Sequence, residues 1–267
     1  MIFGSGNNTG LIHLEAIFDL LIGGTELSLA DFSFLAGVSL VASFATAAFG
    51  AGGGILSLAS MALVLPPATL VPLNGIVQVG SNCGRAILMR EHIQWSVVPV
   101  FFVGTIIGAA VGGKFVITLP TATLQIILAV FIIYAMWGPK ITASRPGKKT
   151  FFVVGIFAAF ATMFVGATGP LLAPFTAASS DKRQEVVASH GTLMTIQHGL
   201  KCIVFGLLGF AFGPYIPLLA AMLLCGFVGS YLGKLALNKL PEKAFRQIFK
   251  WGITLIAIRL LYKGIMG

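Results

Sequence analysis

Charge is what this chain has least of. Only 9% of its 267 residues are charged, against 57% hydrophobic, and the mean hydropathy is +0.97. A soluble domain carries about 25% charged residues, so a water-facing globular domain is excluded and lipid must cover most of the exterior. Acidic residues are scarcer still, at eight. Between Phe32 and Tyr262 they are Glu91, Asp181, Glu185 and Glu242, all in loops or at span ends. A cation pump or carboxylate-based sodium site is therefore poorly supplied. Cys83, Cys202 and Cys225 lie singly in apolar stretches without paired spacing, which argues against a disulfide framework or a thiolate metal set. His190 and His198 stand at i, i+8 with no carboxylate between them, so a helical zinc motif is missing. Neither metal nor cofactor is expected. Also missing are the alternating strands of about ten residues that a membrane barrel requires. The 33 glycines sit instead within long apolar runs, which points to helices of about 20 residues.

The formal charge of +9 does not indicate a nucleic-acid partner, because the basic residues fall in short loops between spans, as the positive-inside rule requires. Residues 1–31 lack a basic n-region and a small-residue cleavage site. They carry Glu15, Asp19, Glu26 and Asp31 around an apolar stripe, the pattern of an interfacial amphipathic segment outside the cytoplasm. Residues 139–150 form the one obvious linker, GPKITASRPGKKT from Gly138, rich in basic residues. A linker of that charge belongs on the cytoplasmic side of a cell (inner or plasma) membrane.

Two stretches stand out. The first runs FGAGGGIL from Phe49, through Pro66-Pro67, into LNGIVQVGSNCGRAILMR. Its second apolar piece, about Gly53 to Leu65, is too short to cross comfortably and reads as half of a broken or re-entrant hairpin. The next helix, about Thr69 to Met89, places Asn74, Gln78, Ser81, Asn82 and Arg85 on one face, at i, i+4, i+7, i+8 and i+11. The second stretch repeats the first at an offset of 165 − 49 = 116. VGATGPLL matches FGAGGGIL, His190-Gly191 meets Asn74-Gly75, His198 meets Asn82, and Lys201 meets Arg85. The second polar-faced helix is expected over about Val186 to Leu208. Later spans carry Gly104, Gly108 and Gly112, then Gly226, Gly229 and Gly233, each a small-residue face for close packing.

Residues 32–138 and 151–267 are therefore two repeats, each a hairpin plus three crossings. A unit of that kind reverses sides, so its copy must be inverted. The fold class expected is an all-α polytopic membrane protein of two inverted repeats, each a broken or re-entrant helix hairpin plus three transmembrane helices.

The spans hold cations and hydrogen-bond donors without anions. Arg85 and Lys201 lie within polar-faced helices, where an ionisable group costs several kcal/mol unless it meets a cavity or partner. Snorkelling by Arg85, interhelical hydrogen bonding by the polar faces and tight packing at the glycines are the bland alternatives. Two cations with no anion repel across a bundle, and a bound anion removes the imbalance. Glycine breaks add backbone N–H groups at half-helix N-termini, which attract anions. GAGGG is weak as a dinucleotide motif, since no strand–turn–helix unit surrounds it.

These residues resemble the TauE/SafE sulfite-exporter-like permeases, over essentially Phe32 to Tyr262. The resemblance implies movement of sulfur-containing anions and a two-repeat build. Gly50, Gly52, Gly53, Gly54, Asn82 and Arg85 match its first motif, and Gly166, Gly169, Pro170, His198 and Lys201 its second. This chain departs in having His where an amide is common, and Thr168-Gly169-Pro170 in place of a fuller glycine run.

The expected function is a secondary transporter of a small sulfur-containing anion, sulfite or an organosulfonate, with export by alternating access. An anion channel, or an uptake permease for thiosulfate- or sulfate-type anions, is the alternative. The expected substrate site comprises Gly50, Gly52, Gly53, Gly54, Asn74, Gln78, Asn82, Arg85, Gly166, Thr168, Gly169, His190, Gln197, His198 and Lys201. Proton coupling through His190 or His198, contact with membrane lipid and a homodimer complete the expected partners, and no catalytic residue is assigned. A membrane-embedded sulfur-carrying enzyme would need a reactive cysteine. Replacing Cys83, Cys202 and Cys225 together by Ala should leave anion flux in proteoliposomes intact, and its loss would favour that enzyme class.

Overall fold

The computed structural model describes residues 21–49, 52–139, 141–236 and 242–266. Most of the amphipathic segment expected over 1–31, and Gly50 of the expected site, lie outside them. Among the described residues the chain is all helix, without strands, in ten α-helices. In chain order these are α1 (Leu29–Phe49), α2 (Gly53–Val64), α3 (Pro67–Leu88), α4 (Val98–Val116), α5 (Thr121–Trp137), α6 (Lys148–Val165), α7 (Gly169–Ala178), α8 (Arg183–Leu207), α9 (Ile216–Ala236) and α10 (Glu242–Met266).

Local chemistry sets the boundaries. Ser28 accepts from the Asp31 N–H through its hydroxyl and donates to the Asp31 carboxylate at 2.6 Å, which caps α1. Proline starts α3 at Pro67 and precedes α5 at Pro120, where its missing N–H costs a helix nothing. Gly52 (φ 102°) enters α2 and Gly166 (φ 75°) ends α6. Both φ values are ones that L side chains rarely adopt. These two glycines make the breaks of the two hairpins. α2 and α7 have 12 and 10 residues, too few to cross a bilayer alone.

Among the described residues, four helical stretches are long and apolar enough to cross a membrane: Leu29–Ala47, Val98–Val116, Lys148–Val165 and Gly213–Ala236. The polar-faced helices α3 and α8 run to 22 and 25 residues. α8 starts three residues earlier than its apolar pattern suggested, because Arg183, Gln184 and Glu185 extend it N-terminally. α6 likewise begins at Lys148, so the end of the expected linker is helical. Ser81 leaves the shared polar face and is exposed, while Asn74, Gln78 and Asn82 are buried.

The small-residue faces find their partners in the opposite half. A Cβ built on Gly104 or Gly108 of α4 would fall on the Phe152 or Ile156 carbonyl of α6. One on Gly229 or Gly233 of α9 would fall on the Leu40 or Phe44 carbonyl of α1. Contacts advance together along each pair, so both pairs run parallel. α3 and α8 instead cross antiparallel, Gly75 against Lys201 and Gly191 against Asn82. α5 and α10 are also antiparallel. The Trp137 indole donates to Thr254 Oγ1 at 2.8 Å, and the other end of α5 packs Ala122 against Gly264. Around these pairs the apolar core gathers Leu58, Met61, Leu70, Leu73, Leu128, Ile132 and Met163, all fully buried.

Backbone-to-backbone approach leaves no room for a side chain. Gly108→Val should destabilise the protein by about 1–3 kcal/mol, read as a lower melting temperature in detergent. Gly84→Ala, with nothing near its Cβ, should be neutral or slightly stabilising, as helix propensity predicts.

Candidate anion site

The polar faces of α3 and α8 meet where they cross, and each helix opens a glycine to the other's cation. A Cβ on Gly75 would lie 2.6 Å from Cys202 Sγ and 2.8 Å from Lys201 Cε. One on Gly191 would lie 3.2 Å from the Asn82 carbonyl and 3.4 Å from Arg85 Cβ. Gly75 and Gly191 are themselves partners at the offset of 191 − 75 = 116, as are Arg85 and Lys201. The crossing is therefore reciprocal.

The two cations have different surroundings. Lys201 is fully buried, and its Nζ donates to the Gly166 carbonyl at 2.8 Å, at the break between α6 and α7. An ammonium has three donors, and this is the one hydrogen bond formed by Nζ among the described residues. The one ion pair among those residues, Lys182–Glu185 at 3.0 Å, lies at the start of α8. Arg85 is half-buried. Its Nη2 donates to Asn82 Oδ1 at 3.2 Å and its Nε to the Ser81 carbonyl at 3.4 Å. Asn82 in turn donates to the Gln78 carbonyl at 2.8 Å.

Five buried polar atoms have no partner among the described residues: Asn74 Oδ1, Thr162 Oγ1, Gln197 Oε1 and both ring nitrogens of His198. Native interiors leave few such atoms. Here all of them belong to α3, α6 and α8, the helices that meet at the α6–α7 break. Gln197 Nε2 donates to the Ala158 carbonyl at 3.2 Å and to the Thr168 hydroxyl. Asn74 Nδ2 reaches Met61 Sδ at 3.7 Å. A Cβ on Gly166 would lie 3.7 Å from Asn74 Oδ1, and one on Gly54 lies 2.8 Å from Gln78 Nε2. Asn74, Gly166, Thr168, Gln197 and Lys201 thus gather at the second break, His198 lies one turn before Lys201 on α8, and Gly54 and Gln78 meet beside the first.

Other expected residues stand apart. His190 is half-buried, its Nδ1 3.1 Å from Thr176 Oγ1. Gly169 has only Met194 Cε within 4 Å of a built Cβ. Gly52 and Gly53 begin α2, and the Gly52 carbonyl accepts from the Ile55 and Leu56 N–H groups at 3.0 Å. The half-helices differ as donors, because Pro170 removes an N–H that Gly54 retains at the matching position. Thr162 and Thr176 were not among the residues singled out from the sequence. The 116-residue offset carried a signal for both, since it pairs Thr162 with Thr46 and Thr176 with Ser60.

A family model described as "Sulfite exporter TauE/SafE" matches residues 35–260, which span both hairpins and both polar-faced helices. The chain belongs to the TauE/SafE family. It is a family of exporters rather than enzymes, and membership makes this chain a multi-pass membrane protein. One similar protein, named "Probable sulfite/organosulfonate exporter TauE", comes from Cupriavidus necator. It is 27% identical over 131 residues, which cover 46% of this chain and 51% of the relative. The chain thus spans about half the length of the curated relative it matches. No solved structure matches the chain.

In this TauE/SafE protein the Lys201 ammonium is buried beside a single carbonyl. Losing that hydrogen bond costs about 1–3 kcal/mol, whereas an uncompensated buried charge costs several. Lys201→Met should therefore raise the melting temperature in detergent. Gly166→Ala should lower it, because its Cβ would sit at φ 75° and 2.6 Å from Leu58 Cδ1.

Proposed function

We propose that this protein is a secondary transporter exporting a small sulfur oxyanion, sulfite or an organosulfonate, across the cytoplasmic membrane by alternating access. The observation that carries the reading is the fully buried Lys201 side chain, with no carboxylate in reach among the described residues and with unpartnered polar groups nearby. A site of that charge is completed by an anion. Lys201 supplies the compensating charge, and the His198 ring and the Asn74 and Gln197 amides hydrogen-bond the oxygens once their side chains turn donor groups inward. Gly53 and Gly54 contribute backbone N–H groups, and Gly166, Thr168 and Gly169 shape the second break. Arg85, half-exposed on Asn82 and close to His190, receives the anion nearer the other membrane face.

Alternating access follows from two halves, residues 32–138 and 151–267, inverted relative to one another and rocking about the α3–α8 crossing. The antiparallel packing of the equivalent pairs α3/α8 and α5/α10 supports inversion, since equivalent helices of inverted halves run in opposite directions. Basic residues at Arg90, Lys148, Lys149, Lys182 and Arg183 put the linker side in the cytoplasm and the N-terminus outside. His198, with both ring nitrogens unpartnered, is better placed than His190 to couple movement to protons.

Flux in proteoliposomes tests the proposal. Sulfite efflux should saturate and support counterflow, and large single-channel currents would overturn the transporter reading in favour of a channel. Lys201→Met and Arg85→Met should each weaken sulfite binding about ten- to a hundredfold, as expected for a lost charge-assisted hydrogen bond. Unchanged binding in both folded variants would overturn the site.

A further inference from the structure

The two hairpins are not equally closed. In the first, α2 lies hard against α1: a Cβ on Gly53 would fall on the Ala42 carbonyl and the Thr46 hydroxyl. In the second, the equivalents are Gly169, Ala158 and Thr162, each 116 residues on. There a Cβ on Gly169 meets nothing nearer than Met194 Cε at 3.8 Å. The Ala158 carbonyl is taken by Gln197, and the Thr162 hydroxyl has no partner. The half-helix α7 packs instead against α8, with Leu172 and Thr176 buried and Thr176 Oγ1 3.1 Å from His190 Nδ1.

The space left between α6 and α7 is a cavity of about 550 Å³, within the ~300–1,000 Å³ of ordinary ligand pockets. Val153, Val154, Phe157, Ala158, Leu171 and Phe175 line its length, and Lys149 with Thr150 stands at one end. It opens on the outer face of the bundle, where Val153 and Phe157 are exposed, so lipid rather than water lies against it. An apolar slot capped by an exposed lysine matches one kind of occupant in a bilayer. The acyl chain fills the slot, and an anionic headgroup meets the ammonium at the interface.

We infer that the cleft between α6 and α7 is a binding site for a single anionic phospholipid, its chain wedged along Phe157 and Leu171 and its phosphate held by Lys149. The wedge keeps α7 away from α6, and so keeps the Ala158 carbonyl available to Gln197. The lipid thereby supports the open second break, and the site is independent of which anion is transported.

Native mass spectrometry of the whole detergent-released protein, titrated with phosphatidylglycerol or phosphatidylcholine, tests this. The wild type should retain one phosphatidylglycerol in preference to phosphatidylcholine. Lys149→Glu should lower that retention about fivefold, the factor expected for one basic residue at an anionic surface, while Lys149→Arg should keep it. Val153→Trp, which fills the slot from the lipid side, should abolish the adduct even if Lys149 is intact. Equal retention of both lipids, or an adduct unchanged in both Lys149→Glu and Val153→Trp, would overturn the site. Because the readout is lipid retention by the purified protein, failure here would leave sulfite flux and the Lys201 site untouched.

Discussion

A buried ammonium in a membrane bundle must be compensated, and the rest of this structure is arranged around that demand. Lys201 is fully buried and holds one carbonyl, that of Gly166. The carbonyl is free to accept because α6 ends there: Gly166 adopts φ 75° and the chain turns into a second short helix. Its i+4 residue is Pro170, which has no N–H to offer, so no ladder bond competes for that oxygen. The break at Gly166, with Pro170 beyond it, therefore leaves a carbonyl open to Lys201 at this depth. The unpartnered Asn74, Gln197 and His198 atoms around it extend the same demand to hydrogen bonding.

Close approach of backbones makes the arrangement rigid. Gly75 and Gly191 let α3 and α8 cross so that each receives the other's cationic turn. Gly104, Gly108, Gly229 and Gly233 seat α4 on α6 and α9 on α1 at carbonyl distance. Between helices in lipid there is little hydrophobic drive, so such dispersion contacts do much of the holding. Lipid-facing side chains such as Phe157, Phe227 and Leu224 can then stay exposed without penalty.

The two hairpins differ in their hydrogen bonds. Thr46 donates to the Ala42 carbonyl at 3.0 Å, whereas its counterpart Thr162 is unpartnered because Gln197 has taken the Ala158 carbonyl. Arg85 is half-exposed on its own helix, whereas Lys201 is fully buried between Gly75 of the other half and Gly166 of its own. The counterpart of Gln197 at the same offset is Ser81, which is exposed and leaves the Ala42 carbonyl to Thr46.

Much of this was legible beforehand, for physical reasons that act locally. Scarce charge and glycine-interrupted apolar runs determined an all-helical membrane protein. Proline and glycine punctuation placed α3, α5 and the two breaks, because backbone dihedral limits do not wait for tertiary contacts. The 116-residue offset paired Arg85 with Lys201 and Gly75 with Gly191. What periodicity could not give was depth: Ser81 shares the spacing of Asn82 yet is exposed, and His190 and His198 differ in burial although both lie on α8. Burial depends on which neighbour a helix face meets, and that is settled by long-range packing. For the same reason only the tertiary structure decided that Gln197 takes the Ala158 carbonyl, that Thr162 is left without a partner, and that the second hairpin stands open where the first is closed. The chain by itself determined which groups were available, and the packing of one half against the other decided which of them are satisfied.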